Sequence, residues 1–208
     1  MSSEQSLTRA VREVEAHVAA YGWDGPVRLF ALVRTAEALR REPDLASQLP
    51  PEDAEAAAAD PGHLLLIEQD DLDDLAAQSD NAHDTTHDSA HDSAHDTAGT
   101  DPTDALERML GRLAWPEEVE GVALSVERLV VPPDVEAQAP TDPDEALRWL
   151  GEHPRRREVR IAAGVLRDGT RACVLRTRST AEDPDETVVS GPDLVPGLTR
   201  ALASTLQD

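Results

Sequence analysis

A hairpin signal in residues 158–179 constrains the fold of this chain more than any other stretch of its sequence. The segment reads EVRIAAGVLRDGTRACVLRTRS and predicts two strands, 159–167 and 170–178, joined by Asp168-Gly169. Asp-Gly between two runs of strand-forming residues favours a two-residue type I′ turn, because both central residues of that turn need positive φ. The sequence therefore predicts an antiparallel pair of strands here.

The two-residue turn also predicts which residues of the two strands face each other. Residues whose numbers sum to 337 should pair, so that Val165 lies opposite Ala172 and Ile161 lies opposite Arg176. In that register Arg176 shares a face with Val165 and Val174. Apolar residues also occur on the other face, which indicates that both faces of the sheet are covered.

The rest of the chain predicts helices packed against a mostly antiparallel sheet, which is an α+β fold. Ser2 and Gln5 form a capping box at the start of a helix that should end near Tyr21-Gly22. Asp142 followed by Pro143 is typical of a second helix start. Further strands are predicted at 27–33, 63–67, 119–131 and 187–189, and further helices at 35–41, from 101 and from about 193.

The composition divides the chain into two halves of a single α+β domain, 1–68 and 101–208, separated by residues 69–100. The separating segment contains DDLDD and four copies of a four-residue unit, HDTT, HDSA, HDSA and HDTA. A segment this polar cannot bury enough apolar surface to offset a backbone entropy of about 1–2 kcal/mol per residue. We therefore expect a disordered acidic insertion.

The net charge of −23 is unevenly distributed. Residues 42–107 hold 19 acids and no arginine, whereas residues 155–178 hold eight arginines against Glu158 and Asp168. All 19 basic residues are arginine, which is typical of a high-GC genome. The single cysteine, Cys173, excludes an intrachain disulfide. No apolar run approaches the length of a membrane span, so we expect a cytoplasmic protein without membrane insertion.

The histidines of the repeat, His83, His87, His91 and His95, are candidate metal ligands. Imidazoles four residues apart lie on one face of a helix and suit Zn²⁺, Ni²⁺ or Cu²⁺. The flanking Ser, Thr and Asp are poor helix formers, so a solvated low-complexity linker is the favoured interpretation. We expect weak, opportunistic metal binding at most and no cofactor.

The arginines Arg155, Arg156, Arg157 and Arg160 are candidate contacts to a partner or an anion. Pairing of the basic stretch with Glu and Asp of the same chain, or a solvated sheet edge, is favoured over binding of phosphate groups. Nucleic acid is not the expected partner, because the hairpin has no aromatic stacking residue and a protein of charge −23 repels a polyanion at long range. Arg176 and the nearby Arg178 are expected to be half-buried and paired with carboxylates.

Motifs that would indicate catalysis are missing from the sequence. Without lysine there is no Walker A motif, and GxGxxG, GxSxG, HExxH and CxxC do not occur. The leading hypothesis is a non-catalytic protein-interaction or adaptor module that offers an arginine-rich sheet face or edge to an acidic partner or to a second copy. The alternative is a binder of small phosphate-containing anions, and an enzyme of unknown type ranks third.

Four stretches together resemble a known family: WDGPVRLFALV, LAWPEEVEGVALSVERLVVPP, HPRRREVRIAAGVLRDGTRACVLR and GPDLVPGLTRALASTL. They are similar to an uncharacterised actinobacterial family of small acidic cytosolic proteins. The resemblance covers nearly everything except the His-Asp repeat and implies a single domain. It implies no activity, cofactor or catalytic residue, so no functional role is carried over to this chain.

Deletion of residues 79–99 should leave the thermal midpoint of unfolding nearly unchanged or slightly raised. A shorter loop costs less closure entropy, and a solvated linker contributes no packing. Differential scanning calorimetry of the deleted and full chains measures this directly. A midpoint lowered by several degrees would show that the segment packs on the domain.

Overall fold

The computed structural model describes residues 2–69, 106, 109–111, 113–180 and 187–207. Within these residues, six strands form one antiparallel sheet in the order β2-β1-β3-β4-β5-β6. The strands are β1 Arg28–Arg34, β2 Leu64–Gln69, β3 Val119–Val130, β4 Arg157–Leu166, β5 Arg171–Thr177 and β6 Val188–Gly191.

Helices lie against both faces of this sheet, so the predicted α+β fold is confirmed. They are α1 Ser3–Ala19, α2 Thr35–Arg41, α3 Pro51–Ala59, α4 Pro133–Glu136, α5 Pro143–Glu152 and α6 Pro196–Ser204, with a 3₁₀ turn at Pro43–Ser47. The predicted insertion lies outside the described residues except for Gln69, and so do its four histidines and the helix start predicted at residue 101.

Local sequence signals account well for these elements. The capping box forms: Ser2 Oγ accepts from the Gln5 N–H, and the Gln5 side chain accepts from the Ser2 N–H. Asp142 caps α5 by accepting from the N–H groups of Asp144 and Glu145. The predicted helix at 35–41 has the bounds of α2, and the predicted strands differ from the observed strands by a few residues at their ends.

Helix α1 packs closely on one sheet face because the centre of that face carries small residues. Leu7, Val11 and Val14 are fully buried against it. A Cβ added at Gly164 would lie 2.6 Å from Val11 Cγ2 and 3.1 Å from Leu7 Cδ1, closer than side chains tolerate. Glycine at this position therefore allows the close approach of α1 to β4.

The opposite face carries the larger apolar core. Leu124, Ile161 and Val165 of the sheet pack with Leu202 of α6 and with the helical residue Leu110. Arg167 joins the hairpin to the segments beside this core. Its guanidinium donates to the backbone carbonyls of Trp115, Pro116, Val119 and Leu206. This arginine is therefore part of the architecture.

The hairpin forms, but its predicted register is wrong by one residue. Val165 pairs with Arg171 rather than Ala172, and Ile161 pairs with Leu175 rather than Arg176. Successive side chains of a strand point to opposite faces. A shift of one residue therefore moves every side chain of β5 to the opposite face relative to its predicted neighbours in β4.

The turn itself explains the difference. It has three residues, Arg167 to Gly169, closed by a hydrogen bond of 2.9 Å from the Gly169 N–H to the Leu166 carbonyl. Gly169 has a φ of +86°, whereas Asp168 does not have positive φ. Asp168 Oδ1 instead accepts from the Thr170 N–H at 2.8 Å. This is a type I turn followed by a left-handed glycine, the usual three-residue alternative to the type I′ turn.

Replacement of Gly169 by valine should lower the free energy of unfolding by about 1–3 kcal/mol, because a β-branched residue is strained at positive φ. No heavy atom lies within 4 Å of the added Cβ, so the cost comes from the backbone and not from a clash. Gly169→Asn is the matched control and should cost less, since asparagine tolerates this conformation. Chemical denaturation measures both, and equal stability of Gly169→Val and the natural chain would contradict the turn.

Candidate functional site

Arginines collect around a concave surface at the end of the sheet where β4 begins and β5 ends. The cavity has a volume of about 620 Å³. We call it the arginine cavity, and its lining consists of Pro132, Pro154, Arg155, Arg156, Arg157, Glu158, Arg178, Ser179 and Thr180.

A tight turn between α5 and β4 positions the first of these arginines. Helix α5 ends before His153-Pro154, where proline cannot continue the helix. His153 Nδ1 accepts from the Arg155 N–H at 3.1 Å, and its carbonyl accepts from the Arg156 N–H at 3.0 Å. The turn thus leaves Arg155 and Arg156 exposed immediately before the first strand residue, Arg157.

Carboxylates pair with part of the positive charge. Arg155 donates to both oxygens of Asp134, at 2.7 and 3.2 Å, and this lowers the pKa of Asp134. Arg178 donates to Glu158 and to Asp24, and these hydrogen bonds raise the pKa of Arg178. Each guanidinium carries five N–H donors, so pairing of this kind leaves donors directed at solvent. Exposed pairs of this kind stabilise the fold by little, because solvent and salt screen their attraction.

Apolar side chains border the arginine cavity. Leu129 and Val130 of β3 are more than a third exposed, and they pair in the sheet with Glu158 and Arg157. We call Leu129 and Val130, which pair with these two lining residues, the apolar rim. Charge and exposed apolar surface therefore occur together at this end of the molecule.

Arg160, the fourth predicted contact, is buried. Its side chain is 1% exposed and lies on the face covered by α1. It donates to Glu127 at 2.8 and 3.1 Å and to the Gly22 carbonyl, and Glu15 lies 3.8 Å away. Its guanidinium carbon lies 4.4 Å from the centre of the Trp23 ring. The structure thus separates Arg160 from Arg155, Arg156 and Arg157.

The two other arginines singled out from the sequence are half-buried and paired, as predicted. Arg176 donates to both oxygens of the buried Glu15, at 2.5 and 2.7 Å. Arg178 additionally lies 5.6 Å from the Trp23 ring, on a surface that it shares with the arginine cavity. The pairing prediction is correct although the register from which it was argued is wrong.

The chain matches the family of PPA1309-like proteins over residues 7–207. It belongs to this family. No curated protein and no solved structure matches the chain. The matched range of the PPA1309-like family includes every residue of the arginine cavity and of the buried Arg160 cluster. Within the part of the chain that the structure describes, no helix has the length and apolarity needed to cross a membrane.

A second polar cluster in this PPA1309-like fold is closely packed. Thr35 Oγ1 and His63 Nδ1 lie 2.8 Å apart, and Ser6 and Asp60 are buried beside them. The hollow there has essentially no volume that water could occupy. Serine, histidine and aspartate therefore occur together in a closely packed part of the fold. Among residues 2–69, 106, 109–111, 113–180 and 187–207, no group of three or more His, Cys, Asp or Glu could hold a metal.

Sequence reasoning missed the partners of the arginines. Asp134 lies 21 residues from Arg155, and Asp24 lies 154 residues from Arg178. The sequence did indicate a turn at Trp23-Asp24-Gly25. Asp is among the residues that tolerate the left-handed conformation, and Asp24 adopts it with a φ of +67°.

Arg160→Ala should lower the free energy of unfolding by about 3–5 kcal/mol, because it leaves Glu15 buried beside a single remaining arginine. Arg156→Ala is the control, since it removes the same charge from an exposed side chain and should change stability by about 0.5 kcal/mol or less. Urea denaturation of both variants tests the assignment. Equal effects would mean that burial does not distinguish the two arginines.

Proposed function

We propose that this protein is a non-catalytic interaction module that binds an acidic segment of a partner protein at the arginine cavity. One observation carries the proposal: Arg155, Arg156 and Arg157 are exposed side by side, with Arg178, around a concave surface bordered by the apolar rim. The resemblance to an actinobacterial family of cytosolic proteins supports a cytoplasmic location, and the lysine-free composition fits a high-GC actinobacterial genome.

The mixture of charge and apolar surface favours a protein partner. Arginine is enriched at protein–protein interfaces, where it accompanies apolar side chains and excluded water. An acidic segment with one apolar residue would place carboxylates on Arg155–Arg157 and its apolar group on Val130, which pairs in the sheet with Arg157. Guanidinium groups bind carboxylates through two parallel hydrogen bonds, which adds orientation to the electrostatic attraction.

A second copy of the chain is one source of such a segment. The acids of residues 42–107 give each copy a strongly negative stretch, although the net charge of −23 also makes copies repel one another at long range. Self-association and binding of another protein are therefore separated by measuring the oligomeric state.

A small phosphate-containing anion is the second candidate. The concavity favours it, since a volume of about 620 Å³ lies within the roughly 300–1,000 Å³ typical of small-molecule sites. Such sites are, however, usually lined by apolar and aromatic side chains, and the lining of the arginine cavity is mostly polar. We rank this candidate below the acidic protein segment for that reason.

The triple variant Arg155→Gln, Arg156→Gln, Arg157→Gln should lose at least about tenfold in affinity for a synthetic Asp/Glu-rich peptide that contains one leucine. Its stability should stay within about 1 kcal/mol of the natural chain, because these side chains are exposed. Fluorescence anisotropy measures binding, and raising the salt from about 0.1 M to about 1 M should mimic the variant by shortening the Debye length from about 10 to about 3 Å.

The matched control removes the same three charges elsewhere, at the exposed Arg9, Arg40 and Arg200. It should bind the peptide as the natural chain does. Equal losses in the two triple variants would reduce the effect to net charge and contradict a site. A rise in thermal midpoint with nucleotides or phosphate, without peptide binding, would favour the small anion as ligand. Light scattering measures the oligomeric state, and a dimer would identify a second copy of the chain as the partner.

A further inference from the structure

A second cavity lies on the sheet face opposite α1, between β3, β4 and α6. Its volume is about 230 Å³. Val126 and Ile161 of the sheet form its floor, and Leu106 and Leu110 form one wall. We call it the apolar pocket. It shares no lining residue with the arginine cavity.

The first turn of α6 explains why this space is not filled. Gly197 and Ala201 both line the apolar pocket, and positions four apart lie on the same face of a helix. No heavy atom lies within 4 Å of a Cβ added at Gly197, so the space beside the helix is open there. Two small residues one turn apart therefore leave a hollow over an otherwise close-packed core.

Arg128 is the one charged residue among those that line the apolar pocket. Alternation along β3 sends Glu127 to the α1 face, where it pairs with Arg160, and sends Arg128 to the pocket. Arg128 is half-buried, and its side chain forms no ion pair or hydrogen bond with any residue that the structure describes. A guanidinium next to apolar walls with no carboxylate partner among the described residues is unusual, because Arg is rarely buried unless paired.

The start of α6 adds to the positive potential at the same place. The N-cap residue is Val195, whose side chain makes no capping hydrogen bond, and the first turn has no acidic residue. The N–H groups of Gly197 and Leu198 belong to the first turn, where the helix itself supplies no acceptor. Anions are stabilised at such a helix end. The helix end reinforces Arg128 and does not define the site alone.

We propose that the apolar pocket binds a small molecule with an apolar body and one carboxylate, such as a short alkyl or aryl carboxylate. The apolar body lies between Val126, Ile161 and Leu110, and the carboxylate accepts from the Arg128 guanidinium at the rim. A volume of about 230 Å³ is below the roughly 300–1,000 Å³ of drug-sized sites, so the body is short. One guanidinium suits a single carboxylate, and this distinguishes the pocket from the four-arginine cavity.

The test uses the full chain and compares octanoate with octan-1-ol, which has the same apolar length and no charge. Isothermal titration calorimetry should show saturable octanoate binding that is at least about tenfold tighter than octan-1-ol binding, as for a charge-assisted hydrogen bond. Amide NMR shifts of Gly197 and Leu198 should move with the same dissociation constant. Equal affinity for acid and alcohol, or no saturable binding of octanoate, would overturn the proposal.

Two variants locate the binding. Arg128→Gln should reduce octanoate affinity about tenfold, to the level of the alcohol, and leave octan-1-ol binding unchanged. Ala201→Leu should fill the hollow and abolish binding of both probes. Arg200→Gln, on the same helix and exposed, is the control and should bind octanoate normally. If Ala201→Leu does not fold, Arg128→Gln still decides, and octanoate binding unaffected by Arg128→Gln would overturn the proposal.

Discussion

The burial of Arg160 is the constraint on which much of this fold depends. It is the largest fully buried side chain in the described residues, and removing a charge of this kind from water costs several kcal/mol unless partners surround it. Glu127 comes from β3, Glu15 from α1, and the Trp23 ring from the loop before β1. Asp24 extends the cluster, since its N–H donates to Glu127 at 2.7 Å. Satisfying one guanidinium therefore fixes the position of a helix, a loop and two strands relative to each other.

The basic stretch of the sequence divides into arginines that stabilise the fold and arginines that face solvent. Arg160, Arg167 and Arg176 each form several contacts that join distant elements, whereas Arg155 and Arg156 lie on an exposed turn. A count of charges along the chain cannot make this division, because it treats every guanidinium as surface charge. Burial and alternation along the strands make this division, and they leave a compact group of exposed arginines in place of a broad basic face.

Periodicity and capping were sufficient to predict most helices and strands. The predicted register of the β4–β5 hairpin was wrong for an identifiable reason. Asp-Gly is compatible with both a two-residue and a three-residue turn, so the local sequence does not choose between them. The choice depends on tertiary packing. In the observed register Ala162, Gly164 and Ala172 gather on the face that α1 covers, and there a Cβ at residue 164 would collide with Val11. The predicted register would have divided these small residues between the faces, leaving no surface flat enough for the helix.

The two candidate sites differ in how visible they are in the sequence because they arise from different features. Three adjacent arginines are visible as a pattern, but the cavity around them depends on Arg178, which the end of β5 brings beside the start of β4. The apolar pocket has no linear pattern, since it results from small residues on α6 placed over β3 and β4. Strand β3 connects the two sites: consecutive residues supply Glu127 to the buried cluster, Arg128 to the apolar pocket, and Leu129 to the apolar rim. Strand alternation separates Arg128 from its two neighbours, and position along β3 separates the buried Glu127 from the exposed Leu129. Three adjacent residues therefore lie in three different environments, which composition alone does not distinguish.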